Sequence, residues 1–264
     1  MVFDASARPD AGQPISPATQ SAGARPQRLA ARGRWPDDIA LWRVDFDFAQ
    51  TPADAPFLDD AERARAQRYL QRADQIRFAV TRSVLRQLLA DAIGDAPDAL
   101  RFVFSERGKP QLQDHIGLSF NVSHAGNHAL IALSRTREVG IDIEQHNASI
   151  DWRGLSRLVC TPAERQALDS APPPSQAALF MHCWTAKEAL LKALGLGIAH
   201  GLLALGVDLA GEGGVERAAS PHVPGSAGEF GAASQLHYRW LDDVPGYACC
   251  LAFAKPGSSA RNGA

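Results

Sequence analysis

Two acidic side chains stand two residues apart in the stretch REVGIDIEQH, residues 137–146. Apolar residues alternate with other types there, which is the period of a β-strand with one apolar face. The opposite face carries Asp142 and Glu144, about 6.6 Å apart by strand rise. Like charges at that separation repel when they are partly buried. We therefore predict a positive group between them, the alternative being an ordinary solvated strand face.

A second chemically informative stretch is WTAKEALLK, residues 184–192. On a helix, Trp184, Glu188 and Lys192 follow one another at i, i+4 and share a stripe. Taken alone, Glu188 and Lys192 would form a surface ion pair. Combined with Asp142 and Glu144, however, Glu188 gives three carboxylates, a ligand set suited to a hard cation such as Mg²⁺.

Residue types that bind anions lie upstream of these acids. FNVSHAG, residues 120–126, puts Ser123 and His124 at a turn between two strands, where backbone N–H groups and an imidazole can receive an anion. A helical segment is rich in arginine, whose planar fork matches a phosphate monoester, although a solvated helix face is the alternative. Its arginines are Arg63, Arg65, Arg68, Arg72, Arg77, Arg82 and Arg86.

Strands and helices that would position these residues follow from hydrophobic periodicity. Residues 59–94 predict two helices with a break near Ala73–Asp74, where an aspartate N-cap is expected. Further helices are predicted at 161–169 and 176–195, with a loop at 171–175. Strands are predicted at 39–48, within 100–112, within 117–134, and near 139–144, 204–209, 235–241 and 246–254.

The order of elements predicts an α+β fold of two pseudo-symmetric halves, each a helix packed on a small antiparallel sheet. We place the N-terminal half at residues 35–138 and the C-terminal half at 139–256. Residues 1–34 are poor in large apolar side chains, so they are predicted to be a disordered tail, as are residues 257–264. Residues 211–234 are predicted to be a mobile surface loop.

Composition narrows the class of protein. Lys and Arg number 27 against 29 Asp and Glu, so no overall field favours nucleic acid or an anionic membrane. Neither a signal peptide nor a membrane-length apolar run is found, which predicts a cytoplasmic protein. The four cysteines lack both C-x-x-C spacing and disulfide-framework density, and we expect them to be reduced core residues.

The ordered set of motifs resembles the Sfp-type 4'-phosphopantetheinyl transferases. The matching stretches are GKP (108–110), FNVSHAG (120–126), VGIDIE (139–144), WTAKEALLKALGLG (184–197) and the closing strand VPGYACCLAFA (244–254). The W-x-x-K-E-A form resembles the two-halved monomers of the family rather than its short trimeric members. The resemblance implies two α+β halves with coenzyme A and Mg²⁺ in the cleft between them.

The resemblance also implies the reaction. The 4'-phosphopantetheine arm of coenzyme A would pass to a serine of an apo acyl or peptidyl carrier protein, with release of adenosine 3',5'-bisphosphate. The carrier would belong to fatty-acid, polyketide or nonribosomal peptide synthesis.

Site residues carry over by their positions in the motifs. Asp142, Glu144 and Glu188 match the metal ligands; Glu188, Lys192 and Asp142 would be catalytic, and the motif leaves open whether Glu188 is the base. Arg77 aligns with the arginine that holds the 3'-phosphate of the coenzyme, with Arg72 and Arg68 as helpers. The other implied coenzyme contacts are Lys109, Pro110, Ser123, His124, Lys187 and Lys192.

Two other classes of function compete with this interpretation. A regulatory module that binds coenzyme A without transfer would not require all three carboxylates. A metal-dependent phosphohydrolase or nuclease would need further ligands, such as a second His or Asp cluster, and none occurs at suitable spacing. The complete acid set therefore favours the transferase.

Overall fold

Two antiparallel sheets, each covered by a long helix, form the frame of the protein. The computed structural model describes residues 25–52, 55–115, 117–147, 149–197, 201–210, 216–221 and 230–255. The helices in these ranges are α1 (Asp60–Gln67), α2 (Arg72–Ile93), α3 (Trp152–Val159), α4 (Pro162–Ser170) and α5 (Pro173–Leu194).

The strands of the described ranges are mostly short. They are β1 (Gln27–Leu29), β2 (Ile39–Asp45), β3 (Phe102–Phe104), β4 (Pro110–Leu112), β5 (Ser119–Ala125), β6 (His128–Ser134), β7 (Val139–Gln145), β8 (Leu205–Gly206), β9 (Arg217–Ala218), β10 (Ser220–Pro221), β11 (Leu236–Leu241) and β12 (Tyr247–Ala254). The first sheet has the order β1-β2-β6-β5 and the second the order β7-β12-β11-β9. Helices on small antiparallel sheets confirm the predicted α+β class.

The first sheet is covered by α2. Its Leu85 and Leu88 pack in one buried cluster with Trp42 and Ile131 of the sheet. The helix begins at Arg72, earlier than the predicted break near Ala73–Asp74, and its N-cap has no side-chain hydrogen bond. The capping aspartate is instead Asp59, at the start of α1. It forms a reciprocal capping box with Glu62, three residues on.

Two arginines of α2 are structural. Arg86 is 0% exposed and donates to Glu62 Oε2 at 2.7 Å and to Asp59 Oδ2 at 2.8 Å. Arg82 is also buried, with its Nε 3.4 Å from Glu62 Oε1. These two side chains therefore belong neither to a solvated helix face nor to a phosphate-binding site. They join α2 to α1 in the interior of the N-terminal half.

The second sheet is covered by α5, which starts three residues earlier than predicted. Pro173 begins the helix inside the predicted loop at 171–175, because a proline in the first turn loses no intrahelical hydrogen bond. The helix ends at Gly195, whose φ of +72° suits the left-handed C-cap. Helix α3 was not predicted, because its sequence WRGLSRLV contains a glycine. Asp151 caps this helix.

The two sheets meet along β5 and β7. A third buried cluster combines Leu41 and Leu130 of the first sheet with Ile141 and Leu251 of the second. Along the seam, Asn121 Oδ1 accepts a 2.9 Å hydrogen bond from the backbone N–H of Ile141. Side chains of one edge strand thus satisfy backbone groups of the other, as buried polar groups require.

Part of the predicted N-terminal tail is ordered. Residues 27–29 pair with β2, and Leu29 is buried. Both terminal nitrogens of Arg34 lie 2.7 Å from a carboxylate oxygen of Asp243, in the second sheet's β11–β12 connection. The prediction of disorder was therefore wrong for residues 25–34, whose partners lie some 200 residues away in the chain and could not be seen locally. Residues 1–24 and 256–264 lie outside the described residues.

The segment predicted as a mobile loop contains regular structure where it is described. Within residues 211–234, β9 pairs with β11 and β10 pairs with β8. Residues 211–215 and 222–229 are outside the described ranges. All four cysteines are free and buried, as predicted. In the part of the chain that the structure describes, no helix combines the length and apolarity needed to cross a membrane.

Removing residues 25–34 should lower stability, because a strand and an ion pair between the halves are lost. Burial of one leucine contributes about 2 kcal/mol, which corresponds to roughly 4–8 °C in Tm for a chain of this size. Thermal unfolding of a chain that starts at residue 25 should be compared with that of one that starts at residue 35. Equal Tm values would contradict the structural role of this segment.

Candidate active site

Close contact between α5 and β7 positions the acidic residues. A Cβ added to Gly140 would lie 2.0 Å from the carbonyl oxygen of Ala189 and 2.6 Å from the backbone nitrogen of Ala193. No side chain larger than hydrogen fits there. Gly140 therefore does more than ease a bend, because it lets α5 lie directly on β7 and brings Glu188 and Lys192 to the strand that carries Asp142.

The acids lie in the interior of the seam. Asp142 is 1% exposed, Glu188 is 6% exposed, and Glu144 near the end of β7 is half-buried. The alternative of a solvated strand face is therefore wrong for Asp142. Buried carboxylates require a compensating charge or hydrogen bonds.

That compensating charge is the ammonium group of Lys192. Its Nζ lies 2.6 Å from Asp142 Oδ1 and 3.9 Å from Glu188 Oε2. It also donates to Ser123 Oγ at 3.0 Å, and Ser123 in turn donates to Asp142 Oδ1 at 2.7 Å. α5 thus supplies a positive group in direct contact with Asp142, one of the two strand acids between which it was predicted, while β5 adds a hydroxyl from the other half.

The acidic side chains shift one another's pKa values. Burial, with the neighbouring charge of Asp142, raises the pKa of Glu144 to about 7, although Lys192 opposes the shift. The same causes raise the pKa of Glu188 to about 7, and Glu144 adds to the effect. Near neutral pH, both groups are poised between the protonated and ionised forms.

The donor set fits a hard divalent cation. Asp142 Oδ2 is buried and has no hydrogen-bond partner in the protein, although a buried carboxylate oxygen ordinarily has one. The surrounding donors are carboxylate oxygens, which Mg²⁺ prefers. Among the described residues, one group of three possible metal ligands has donor atoms that all lie within 4.8 Å of one another, and it consists of Cys160, Glu164 and Cys183. The three acids of the seam do not meet this distance, so they are spaced more widely than the ligands of a closed coordination shell.

A cluster of basic groups adjoins the acids on the side of the first sheet. Arg77 Nε donates to the carbonyl oxygen of Gly126 at 2.8 Å, so Arg77 is attached to the turn that follows Ser123 and His124. Desolvation lowers the pKa of His124, and the charges of Arg77 and Lys192 lower it further. Arg72, at the start of α2, donates from its Nη2 to the carbonyl oxygen of Gln50 at 2.7 Å.

Sequence reasoning missed two aromatic residues around this turn. The guanidinium of Arg77 lies 5.2 Å from the ring centroid of Phe48. Tyr247, in β12 of the other half, accepts a hydrogen bond on its hydroxyl from the backbone N–H of Asn127 at 3.0 Å. Gly126 has a φ of +51°, and a Cβ there would lie 2.3 Å from this hydroxyl. Only the fold brings these residues together, so no local sequence signal marks them.

Lys109 fastens the predicted adenine loop to α5. Its Nζ lies 3.0 Å from Glu138 Oε2 and 3.1 Å from the carbonyl oxygen of Ala193. Pro110 begins β4 immediately after it. The coenzyme contacts assigned to these two residues remain predictions, and the contacts of the Lys109 ammonium hold the loop beside the C-terminal end of α5.

Comparison with known proteins identifies the family. The pattern of the 4'-phosphopantetheinyl transferase superfamily matches residues 138–252, and that of the 4'-phosphopantetheinyl transferase N-terminal region matches residues 48–136. The 4'-phosphopantetheinyl transferase HetI of Nostoc sp. is 38% identical over 168 residues, which cover 62% of this chain and 71% of HetI. The chain belongs to the 4'-phosphopantetheinyl transferase superfamily.

Other members of this superfamily are similar over shorter or more divergent regions. AcpT of Escherichia coli is 34% identical over 110 residues, covering 42% of this chain and 55% of AcpT. The 4'-phosphopantetheinyl transferase of Bacillus subtilis is 29% identical over 155 residues, covering 58% of this chain and 67% of the relative. These relatives confirm the enzyme class that the ordered motifs indicated.

One residue of the transferase motif points away from the acids of the seam. Lys187 is predicted to bind the coenzyme, but its side chain is 0% exposed and its Nζ lies 2.6 Å from Glu164 Oε2, in the core of the C-terminal half. The prediction is wrong because Lys187 and Glu188 are adjacent on a helix and point about 100° apart, and the packing of α5 directs Lys187 into the core.

Stability of the metal-free protein should depend on the raised carboxyl pKa values. Because the pKa values of Glu144 and Glu188 are about 7 in the fold, above their usual 4.5, the folded chain holds protons that the unfolded chain has lost. Stability should therefore fall as pH rises from about 5 to about 7.5 and level off above.

The double substitution Glu144→Gln and Glu188→Gln should remove this contribution. In EDTA, its Tm should increase relative to wild type as pH rises through that window, as measured by thermal unfolding. A Tm difference that is constant across the window would show that these carboxyl groups have ordinary pKa values.

Proposed function

We propose that this transferase moves the 4'-phosphopantetheine arm of coenzyme A to a serine hydroxyl of an apo acyl or peptidyl carrier protein. The serine oxygen forms a bond to the phosphorus that carries the pantetheine, and the bond to adenosine 3',5'-bisphosphate breaks. Superfamily membership supports this reaction. The single observation that carries it is the contact of the partly exposed Lys192 ammonium with the buried carboxyl groups of Asp142 and Glu188 at the seam between the halves.

Asp142, Glu144 and Glu188 would hold Mg²⁺. The unpartnered buried Oδ2 of Asp142 supports this assignment, as do the two carboxyl groups whose pKa values are raised to about 7 by burial and mutual repulsion. A bound divalent cation neutralises charge on the pyrophosphate and polarises its oxygens.

Lys192 binds the pyrophosphate and stabilises the charge that develops on it. Its side chain is 24% exposed, so the ammonium contacts Asp142 on one side and can be approached from the cleft on the other. Positive charge placed in advance beside a reacting phosphoryl group stabilises the transition state more strongly in a partly dehydrated site than in water.

Glu188 accepts the proton that the serine loses. A general base works best when its pKa is near the working pH, and burial raises the pKa of Glu188 to about 7. The Lys192 ammonium lies 3.9 Å away, close enough to favour the ionised carboxylate before attack. The same side chain would therefore serve both the metal and the proton.

Basic residues of the N-terminal half bind the rest of the coenzyme. Arg77 would hold the 3'-phosphate, with Arg72 as a helper. Ser123 and His124 would contact the pyrophosphate, and the loop with Lys109 and Pro110 would lie beside the adenine. The bond from Arg77 to the carbonyl oxygen of Gly126 supports a shared site, because it connects the arginine with the turn after His124. We propose that the protein acts as a cytoplasmic monomer.

Removal of a metal ligand should stop transfer. Asp142→Ala and Glu188→Ala should each lower turnover by at least about 100-fold at saturating Mg²⁺, because each removes an oxygen ligand from the site. Mass spectrometry of an apo carrier protein incubated with coenzyme A measures the modification. Asp169→Ala, an exposed carboxylate of α4, is the matched control and should retain wild-type turnover. Wild-type rates in the Asp142 and Glu188 variants would refute the site.

Arg77 should contribute binding rather than catalysis, because the 3'-phosphate does not react. Arg77→Ala should raise the KM for coenzyme A about 10- to 100-fold, the effect of one lost charge-assisted hydrogen bond, and lower kcat much less. Dephospho-coenzyme A lacks that phosphate, so its KM should be nearly unchanged and the two substrates should converge. An equal penalty on both substrates would make Arg77 structural, and Arg72→Ala provides the comparison.

A further inference from the structure

A second buried charge network lies on the side of α5 that faces α3 and α4. Lys187 Nζ lies 2.6 Å from Glu164 Oε2 and donates to two backbone carbonyl oxygens, that of Val159 at 2.7 Å and that of Leu202 at 2.9 Å. Glu164 and Lys187 are both buried. The three donors of the ammonium are thus used by three different segments: α4, the end of α3, and the turn before β8.

Glu164 extends this network to further backbone groups. Its Oε2 accepts from the N–H of Thr161 at 2.6 Å, and its Oε1 accepts from the N–H of Val207 at 2.8 Å. The first contact belongs to the capping box of α4. The buried ion pair therefore fixes α5 to the α3–α4 junction and to residues 201–207.

The Lys187 ammonium is itself the cation of this cluster. Cys160, Glu164 and Cys183 have donor atoms within 4.8 Å of one another, and the two sulfurs are 3.6 Å apart. Burial raises the pKa of the Cys183 thiol well above its usual value. The charge of Glu164 is balanced by Lys187, so the acid of this cluster already has its cation.

The opposite face of α5 lies directly against β7. Lys187 precedes Glu188 directly, and Lys192 follows one turn later. Across the helix, Gly140 of β7 lies so close to Ala189 and Ala193 that even a methyl group would not fit. The helix is thus held on one side by backbone contact and on the other by a buried ion pair. A small rotation or slide would displace Glu188 and Lys192 from Asp142.

We propose that Lys187 is a positioning residue, which sets the placement of Glu188 and Lys192 through α5 without touching the coenzyme. The proposal rests on the function given above. A misplacement of about 1 Å can lower turnover about 100-fold, whereas coenzyme contacts made by the N-terminal half would be retained. A purely structural lysine would affect stability alone.

The N-terminal half offers a matched control. Arg86 on α2 is also 0% exposed and pairs with a buried acid, Glu62, at 2.7 Å. Like Lys187, it donates to backbone carbonyl oxygens, those of Pro97 and Leu100. Breaking either pair should destabilise the fold, since one partner left alone is a buried uncompensated charge. Only the Lys187 pair is attached to the helix that carries Glu188.

The test compares the double variant Lys187→Met with Glu164→Gln and the double variant Arg86→Met with Glu62→Gln. Each removes both charges of its buried pair, so neither member of the pair is left alone. In the control, Arg82 also loses its contact with Glu62 and Asp59 loses its contact with Arg86, so the two variants are compared with their Tm values measured alongside kcat. For the Lys187 pair we expect kcat for carrier modification to fall about 10- to 100-fold with the KM for coenzyme A within about threefold. For the Arg86 pair we expect a similar loss of Tm with kcat within about twofold.

A wild-type kcat in the Lys187 pair, or an equal fall in both pairs at equal Tm, would overturn the positioning role. A crystal structure of the Lys187 double variant decides the matter independently of activity. Displacement of the Glu188 carboxylate from Asp142 supports the proposal, and an unchanged site contradicts it. A wild-type protein that modifies no carrier protein would instead refute the proposed function, and the crystal structure would still test the positioning.

Discussion

The Lys192 ammonium lies 2.6 Å from Asp142 Oδ1, at a seam where three carboxyl groups would otherwise repel one another in a largely dry interior. That contact ties three elements together, because Ser123 of β5 bonds to both groups from the other half. It does not satisfy the whole site, since Asp142 Oδ2 has no partner and the pKa values of Glu144 and Glu188 are about 7. The residual negative charge would attract a divalent cation, and that cation together with Lys192 would supply the positive charge that a pyrophosphate requires.

The rest of the frame brings this contact about and holds it. Gly140 permits backbone contact between β7 and α5, so the strand acid and the helix lysine meet without a long side-chain reach. Asn121 satisfies the backbone of β7 from the opposite sheet, and Arg34 ties the N-terminal segment to Asp243 across the same two halves. Since catalysis depends on reacting groups held within a fraction of an ångström, these contacts are part of the site although none touches substrate.

Local patterns predicted the elements and the acids but not their distant partners. The alternation of apolar residues and the helical spacing were sufficient to predict β7 and α5. The ordered motifs were sufficient to predict the family. Lys187 was misassigned because a linear motif does not reveal which side of a helix faces the cleft. Residues 25–34 were predicted to be disordered because their partner Asp243 is far away in the sequence. Tyr247 could not be identified from local sequence, because its contact forms only where β12 meets the turn at Gly126. The errors at residues 25–34 and at Tyr247 concerned contacts between segments remote in the chain, whereas the missed α3 and the start of α5 at Pro173 were local.

We propose that Mg²⁺ binds at Asp142, Glu144 and Glu188 by displacing protons from these carboxyl groups. Isothermal titration of Mg²⁺ into the protein, repeated in buffers of different ionisation enthalpy, measures the protons released. Two carboxyl groups with pKa values of about 7 are each half protonated at pH 7, so we expect about one proton released per Mg²⁺ there and none at about pH 9. Binding without proton release at pH 7, or binding that persists in Asp142→Ala, would contradict the account.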